Sequence, residues 1–420
     1  MRALVLAGGF PQIKLIEQLK ARGIYVILAD WTEHPVAEKY ADVFYRESTL
    51  DIESIENIAK KEKVDLIMTV CTDQALNTVA EVSERLGLPC YIDAKTGRNV
   101  TNKRYMKSVF QQYKIPSAKY CVCRLGESYP EEMNFPVVVK PVDCNSSKGV
   151  VKVNNLVEMK TAIEYAQRCS RTKDAIIEEF VDGVELTIDA IVENGVSTVL
   201  CISEMQKMKS NQKFVICRSM IPPTNINDAL VRKVEEVVQK IATAFKLLNC
   251  PMLVQVLCRD NEIFVVEFSA RTGGGEKYKS IEQYSGIDIV KETIDITLGK
   301  HKPIKPRKSN KYILNEFLYC TQGILGKYEG FETAKQAGYI EDYELFKGKG
   351  TKMGLAVSSS DRAAAVTIVS DSYMELKQSY ERAMDTIKII DENGKNIMHM
   401  DNYLKFEKQK VYEEGVAVCR

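Results

Sequence analysis

The sequence predicts an α/β chain that opens with a parallel sheet and continues as α+β. Three observations carry that expectation. Residues 1–98 alternate strand and helix patterns, the signature of βαβ units and a parallel sheet. Residues 254–268 read as two β runs around a tight turn, an antiparallel hairpin. At 420 residues the chain exceeds one ordinary domain, so two or three are expected.

Taken in order, Ala3–Leu6 is a strand, Gly8-Gly9 a turn, and Gln12–Arg22 a helix stopped by Gly23. Tyr25–Ala29 is the next strand and ends at Asp30. Ser54–Lys61 and Gln74–Leu86 read as helices either side of the strand Leu66–Val70. Gly8, Gly9 and Asp30 invite a dinucleotide reading. It fails, because Pro11 and Lys14 stand where G-x-G-x-x-G needs glycines, although the loop could still hold a substrate. Residues 99–115 read as one helix, capped by Thr101 or Asn102, with Met106, Val109, Phe110 and Tyr113 as its apolar stripe. Val137–Val139 is a strand ended by Lys140, and Cys144–Gly149 is a small polar loop before a second strand. Met159–Arg168 is a helix, and Ala175–Ile191 holds two strands about a turn at Asp182-Gly183. Strands at Val199–Met205 and Val215–Arg218 flank the polar loop Lys207–Lys213. Ala229–Leu247 and Tyr284–Leu298 read as helices, and residues 300–310 as a basic, solvated linker. Strands near Ile313–Tyr319 and Lys352–Ser358 precede a β-α-β unit: Ala364–Val369, Tyr373–Met384 and Ile387–Ile390.

Composition removes several classes of function. A net charge of +1 gives no bulk field for nucleic acid or an acidic membrane. No run reaches the roughly 18–20 apolar residues of a membrane helix, and the first residues carry no apolar core with a cleavage site, so a cytoplasmic location is expected. The twelve cysteines form no C-x-x-C, and only His34, His301 and His399 could join them, so neither zinc nor histidine catalysis is supported.

Polar residues inside apolar patterns mark the candidate chemistry. By simple alternation Phe264, Val266 and Phe268 take one face of their strand, and Val265, Glu267 and Ser269 the other. If the hairpin closes over about three residues, Gln255 lies opposite Glu267. Gln255, Glu267 and Ser269 then offer oxygen ligands on one surface with Arg271 just beyond, a set that suits Mg²⁺ with a phosphate. Lys103 sits in a first helical turn, where a lysine opposes the dipole unless an anion meets it. The Ser/Gly loop, with Lys140 and Lys148, can lay N–H groups, hydroxyls and charge on phosphates. Glu178 and Glu185 interrupt strand patterns and could accept from an adenine amino group and ribose hydroxyls. Each also has an ordinary reading, as a solvent-facing glutamate, a surface lysine or a plain hairpin loop.

In this order, the pieces resemble the ATP-grasp superfamily. The resemblance spans nearly the whole chain and rests on a series: Lys103, FPVVVKP with Lys140, SSKGV, IIEEFVDGVE, Gln255, and EFSAR with Glu267 and Arg271. It implies a parallel-sheet domain over residues 1–98 and a two-part grasp domain over 99–310, with a mobile lid near 116–190. A C-terminal cap over 311–420 follows, similar to those of biotin carboxylase and carbamoyl-phosphate synthase. ATP and Mg²⁺ (or Mn²⁺) are the implied cofactors. Lys103 and Lys140 would then hold the α/β-phosphates, Lys140 also acting in catalysis. Ser146, Ser147, Lys148 and Gly149 would fold over the phosphates. Glu178 would receive the adenine amino group, the Glu179–Val181 backbone would form the adenine hinge, and Glu185 would bind the ribose. Gln255 and Glu267 would ligate the metal. Ser269 stands where the common E-x-N-x-R motif has Asn, so its place as a ligand rests on a shorter side chain. Arg271 would steady an acyl phosphate and the phosphoryl group in transfer.

The exit loop RTGGGEKYKSIEQYSGID resembles the R-x-G-G-G segment of amino-acid and dipeptide ligases. There Gly273, Gly274 and Gly275, with Arg271, would line the pocket for the carboxylate substrate. The implied activity is a carboxylate–amine ligase: ATP phosphorylates a small acid, an amine attacks, and ADP and phosphate leave. A purine-biosynthesis or carboxylase-type enzyme of the same superfamily is the first alternative, and a nucleotide-binding regulator without turnover the second. The implied partners are a small carboxylate and an amine, with a homodimer through the first domain and neither nucleic acid nor membrane.

Overall fold

The computed structural model describes residues 1–127, 133–144, 148–208, 215–224 and 226–400; Ser146 and Ser147 lie outside the described residues. The chain opens with β1 (Arg2–Leu6), α1 (Phe10–Ala21), β2 (Tyr25–Asp30), β3 (Val43–Arg46), α2 (Ile52–Glu62), β4 (Leu66–Met68) and α3 (Asp73–Leu86). Its four strands form a parallel sheet in the order β3-β2-β1-β4. Leu4, Val5 and Leu6 are fully buried, as are Val26 to Ala29, because helices cover both faces of such a sheet.

Two helices follow where one was expected, α4 (Ala94–Val100) and α5 (Lys103–Gln112). Asn102 makes the break: its side chain accepts a hydrogen bond from Tyr105 N (3.1 Å) and caps α5. Tyr113 ends the helix and is exposed rather than part of the apolar stripe. Next come β5 (Tyr120–Cys123), β6 (Val137–Pro141), β7 (Val151–Val153), α6 (Leu156–Cys169) and β8 (Ala175–Glu179). They make a small antiparallel sheet, β5-β8-β6-β7, with α6 packed on it over Met159, Ile163 and Ala166.

The third group is β9 (Val184–Glu193), β10 (Val196–Lys207), β11 (Ile216–Ile221), α7 (Asp228–Ala244), β12 (Cys250–Arg259), β13 (Glu262–Ser269), α8 (Lys277–Ser285) and α9 (Ile289–Thr297). The segment expected as one helix from Tyr284 is thus two. Gly286, at φ +71°, ends α8, and Asp288 caps α9 through Lys291 N. The basic segment 300–310 is tied down rather than a solvated linker: the His301 ring lies 2.7 Å from Glu193 Oε1 and 3.1 Å from Glu292 Oε2.

The last group is β14 (Tyr312–Leu318), β15 (Gly323–Glu329), α10 (Phe331–Gln336), β16 (Asp342–Leu345), β17 (Lys352–Met353), β18 (Ala364–Ser370), α11 (Tyr373–Thr386) and β19 (Lys388–Asp391). The strand expected over Lys352–Ser358 is only the two residues of β17. An antiparallel sheet of eight strands, β13-β12-β9-β10-β11-β14-β18-β16, runs without a break across residue 310. Helices α5 and α7 cover part of one face through Phe110, Val234, Val238 and Ile241. Leu15, Ile16 and Leu19 of α1 share a core with Tyr278, Ile281, Ile294 and sheet residues Leu200 and Ile221, which docks the first sheet on the large one. Among the described residues no helix is long and apolar enough to cross a membrane.

Candidate active site

The small sheet, the large sheet and the start of α3 enclose a cavity of about 480 Å³. Its walls include Lys103 of α5, Lys140 of β6, Glu178 and Glu179 of β8, Glu185 of β9, Gln255 of β12 and Glu267 of β13. Val181, Arg271, Gly274 and Gly275 line it from loops. Residues scattered over 173 positions of sequence (103 to 275) therefore share one cleft.

The hairpin at its floor is built differently from the simple expectation. Arg259 pairs with Glu262, so the loop is only Asp260 and Asn261, both at positive φ (+52° and +61°), as a twisted two-residue hairpin turn requires. That register alone would put Gln255 opposite Val266. A β-bulge leaves Val266 unpaired, and Gln255 meets Glu267 after all. The bulge also breaks the alternation: Ile263, Val265 and Phe268 enter the helix-covered core, while Phe264, Val266 and Glu267 line the cavity. Glu267 is aimed into the cleft by an irregularity, not by strand parity.

Glu267 meets Lys103, with Nζ 3.0 Å from Oε2, and Lys103 also donates to Cys144 O at 2.8 Å. Burial pushes the Lys103 ammonium down, but the Glu267 carboxylate outweighs it and the pKa ends above its ordinary value. Glu178 Oε1 lies 2.8 Å from Lys140 Nζ and 3.3 Å from Lys107 Nζ. Both ammoniums approach one oxygen, and Oε2 accepts from none of the described residues. Burial opposes ionisation of Glu178, yet Lys107 and Lys140 together hold its carboxyl below the usual range. Lys107 moves the other way: burial pushes it down, and Glu178 only partly offsets that. Glu185 is paired with Lys207 at 2.6 Å, beside the apolar Met205 and Leu257.

At the other end, Arg271 is gripped by Asp73, the first residue of α3. Nε lies 2.6 Å from Oδ1, and Nη2 also bonds Oδ2. Nη1 donates to Thr272 O at 2.6 Å. Burial works against the Asp73 charge, and Arg271 more than compensates, so this carboxyl too lies below its ordinary value.

Not every expected residue reaches the cavity. Ser269 is buried but is not on the wall; it sits beside Asp73, one pleat beyond Glu267. Gly273 lies behind the wall, where its N–H donates to Asp189 Oδ1 (3.1 Å). A Cβ on Gly273 would come within 2.8 Å of that oxygen, so only glycine fits. Lys148 is exposed and off the wall, and Gly149 is buried against Pro141. Sequence reading missed Asp73, Lys107 and Lys207. Lys107 had a signal, since it follows Lys103 by four residues and shares its helix face. Asp73 had none, as its partner is 198 positions away.

The donor set fits a nucleotide with a small divalent cation. A cation such as Mg²⁺ keeps several waters and phosphate oxygens, so the Gln255 and Glu267 oxygens suffice from the protein. Groups of three or more acidic, histidine or cysteine ligands are absent among the described residues, which is a poor fit for an all-protein metal cage.

The paired carboxyls make acid stability a test of this geometry. A carboxyl whose folded pKa is depressed contributes stability in full above its unfolded value, and loses it as pH falls through the folded value. Glu178 and Asp73 are both of this kind. The melting temperature is therefore expected to fall below about pH 4. The Asp73→Asn variant should start lower and lose less on acidification. A pH–melting series on both proteins checks this.

Comparison with known proteins is consistent along the chain. The ATP-grasp domain family model matches residues 133–279, and that of the L-amino acid ligase C-terminal domain 2 matches residues 316–392. The phosphoribosylamine–glycine ligase of Caldanaerobacter subterraneus is 23% identical over 414 residues, covering 92% of this chain and 96% of its own length. The L-amino acid ligase of Bacillus licheniformis superposes with a TM-score of 0.78 at 20% identity, over 93% of this chain and 99% of the other. The biotin carboxylase domain of Hydrogenobacter thermophilus 2-oxoglutarate carboxylase, solved with MgADP and bicarbonate, gives 0.75 at 16% identity over 92% and 90%. With both family models matched, and a fold shared with such enzymes along nearly its whole length, the chain belongs to the ATP-grasp superfamily and is an ATP-grasp ligase.

Proposed function

We propose that this ligase activates an amino acid or a similar small carboxylate as an acyl phosphate and joins it to an amine. The observation that carries the reading is the convergence of Lys103, Lys140, Glu178, Glu185, Gln255, Glu267 and Arg271 on one cavity. The match of residues 316–392 to an L-amino acid ligase domain supports an amino acid as the acid.

Each residue has a role its chemistry suits. Lys103 and Lys140 hold phosphate oxygens, and Lys140, positioned by its ion pair with Glu178, also steadies the phosphoryl group in transfer. Glu178 Oε2 accepts from the adenine amino group, the Glu179–Val181 backbone edges the base, and Glu185 takes the ribose hydroxyls. Gln255 and Glu267 hold the cation, which neutralises charge across the β- and γ-phosphate oxygens when bound. Ser269 is left to support Asp73 rather than to ligate. Arg271, fixed by Asp73, faces the acyl oxygens, where a preorganised cation stabilises developing charge. Gly274 and Gly275 shape the acid pocket, and Gly273 keeps its place behind them.

The test is substrate-dependent ADP release, with Mg²⁺, over a matrix of amino-acid pairs. Release is expected with at least one pair, with a dipeptide detectable by mass spectrometry. ADP release only with a ribosylamine phosphate would instead favour a purine-pathway activity, a reading supported by the similarity to the phosphoribosylamine–glycine ligase. The absence of substrate-dependent ADP release with every carboxylate and amine tried would sink the ligase reading.

A further inference from the structure

Beyond Gly275 the cavity wall gathers positive charge that the roles above leave unused. Lys277 and Arg362 both line the cavity, and neither has a carboxylate within 4 Å among the described residues. The Arg362 guanidinium lies over the Phe317 ring, with Cζ 3.6 Å from its centre, and Nε donates to Tyr319 Oη at 3.2 Å. Those two contacts fix the fork and leave its Nη groups without a hydrogen-bond partner among the described residues. Gly275, at φ +70°, is fitted against this pair: a Cβ there would lie 3.2 Å from the Phe317 ring and 3.5 Å from Arg362 Nη1. Lys277 is 3% exposed, and among the described residues its Nζ donates only to Ser219 Oγ, at 2.9 Å.

The nearby acids answer this charge only in part. Asp361 is occupied by the N–H groups of Val357 and Ser358. Glu276 lies 3.1 Å from Lys279, and burial beside Glu344 pushes its carboxyl far above the ordinary range, toward the neutral form. Asp189 stands behind Gly273, where burial raises its carboxyl and the Lys277 ammonium only partly offsets that. Burial pushes Lys277 down in turn, with Asp189 its main offset, so Arg362 is the cation that stands unanswered.

We infer that Arg362, with Lys277, receives a second anionic group of a substrate, a carboxylate or phosphate distinct from the carboxylate activated beside Arg271. The inference rests on the ligase reading for which substrate carries that anion, but the site itself is a matter of binding. A planar guanidinium held by stacking is preorganised for a two-oxygen anion. A buried ammonium whose nearest oxygen is a neutral hydroxyl gains most from a negative partner. A neutral amine or a simple monocarboxylic acid would leave Arg362 unanswered.

Calorimetric titration of the full chain saturated with Mg²⁺ and AMP-PNP separates the cases. One arm compares ethanolamine, β-alanine and O-phosphoethanolamine; the other compares butyrate with glutarate. In at least one arm the member with the extra anion is expected to bind about tenfold tighter or more. Arg362→Met should abolish that preference and leave AMP-PNP affinity unchanged, while Arg362→Lys retains part of it. The stronger of β-alanine and O-phosphoethanolamine tells carboxylate from phosphate. Equal binding within each arm, a preference that survives Arg362→Met, or nucleotide affinity lost with it would each overturn the inference. Selective binding without ADP release from any acid–amine pair would overturn only the ligase reading.

Discussion

Replacing Glu267 by Ala is expected to lower kcat by about 10³-fold or more, since the charge neutralisation supplied by a bound cation is worth several kcal/mol in the transition state. Gln255, the cross-strand partner, supplies only a neutral oxygen, so it cannot hold the cation alone. Glu267→Gln keeps the shape and one oxygen and should be less damaging, with a raised Mg²⁺ requirement. Glu267→Ala also strips Lys103 of its ion-paired carboxylate, leaving it the Cys144 carbonyl and the more distant Asp73 charge. A lower melting temperature is therefore expected as well, and stability and turnover must be measured on the same sample. Lys103→Met/Glu267→Ala should recover stability but not activity. Turnover by Glu267→Ala within tenfold of the parent, across a Mg²⁺ titration, would remove Glu267 from the metal site.

The hairpin shows what the sequence could and could not say. A carboxylate in an apolar strand was legible, and so was its partner Gln255. The route to that pairing was not. Sequence alternation assumed an unbroken strand, whereas the two-residue turn and the bulge at Val266 compensate one another. Val266 has no glycine or other local mark of a bulge, so its signal lies in the tertiary packing of Ile263, Val265 and Phe268. Asp260-Asn261 did mark the turn, because these residues tolerate positive φ better than most. Helix limits were readable where a cap was explicit, as at Asn102, and were missed where a periodic pattern ran through a break, as at Gly286. Asp73 and Arg362 were invisible for another reason. Each acts through a residue far away in sequence, and an acid at a helix start or an arginine in a loop is ordinary until its partner is known.

Glu178 is the residue whose removal should cost the most stability. As a solvent-facing glutamate in a sheet it would be worth a few tenths of a kcal/mol. It is instead 6% exposed, between Lys107 at 1% and Lys140 at 6%. Glu178→Leu leaves two buried ammoniums facing each other without a counter-charge, and breaking a buried pair in this way costs about 3–5 kcal/mol. Lys107 is the more exposed to that loss in energetic terms, for its remaining neighbour is the Val265 carbonyl at 3.3 Å. Adding Lys107→Met removes one of the stranded charges and should return about 1–3 kcal/mol, since an apolar replacement of a buried pair is often neutral or better. Denaturant unfolding of the parent, both single variants and the double variant yields the coupling directly. ATP affinity should stay low in Glu178→Leu with or without Lys107→Met, because neither restores an acceptor for the adenine amino group. If Glu178→Leu unfolds within 1 kcal/mol of the parent, taken as about the size of one ordinary hydrogen bond, the Lys107–Glu178–Lys140 cluster is not the ionic network its distances describe. If stability falls and ATP affinity does not, the cluster is a structural strut, and adenine is recognised elsewhere on the cavity wall.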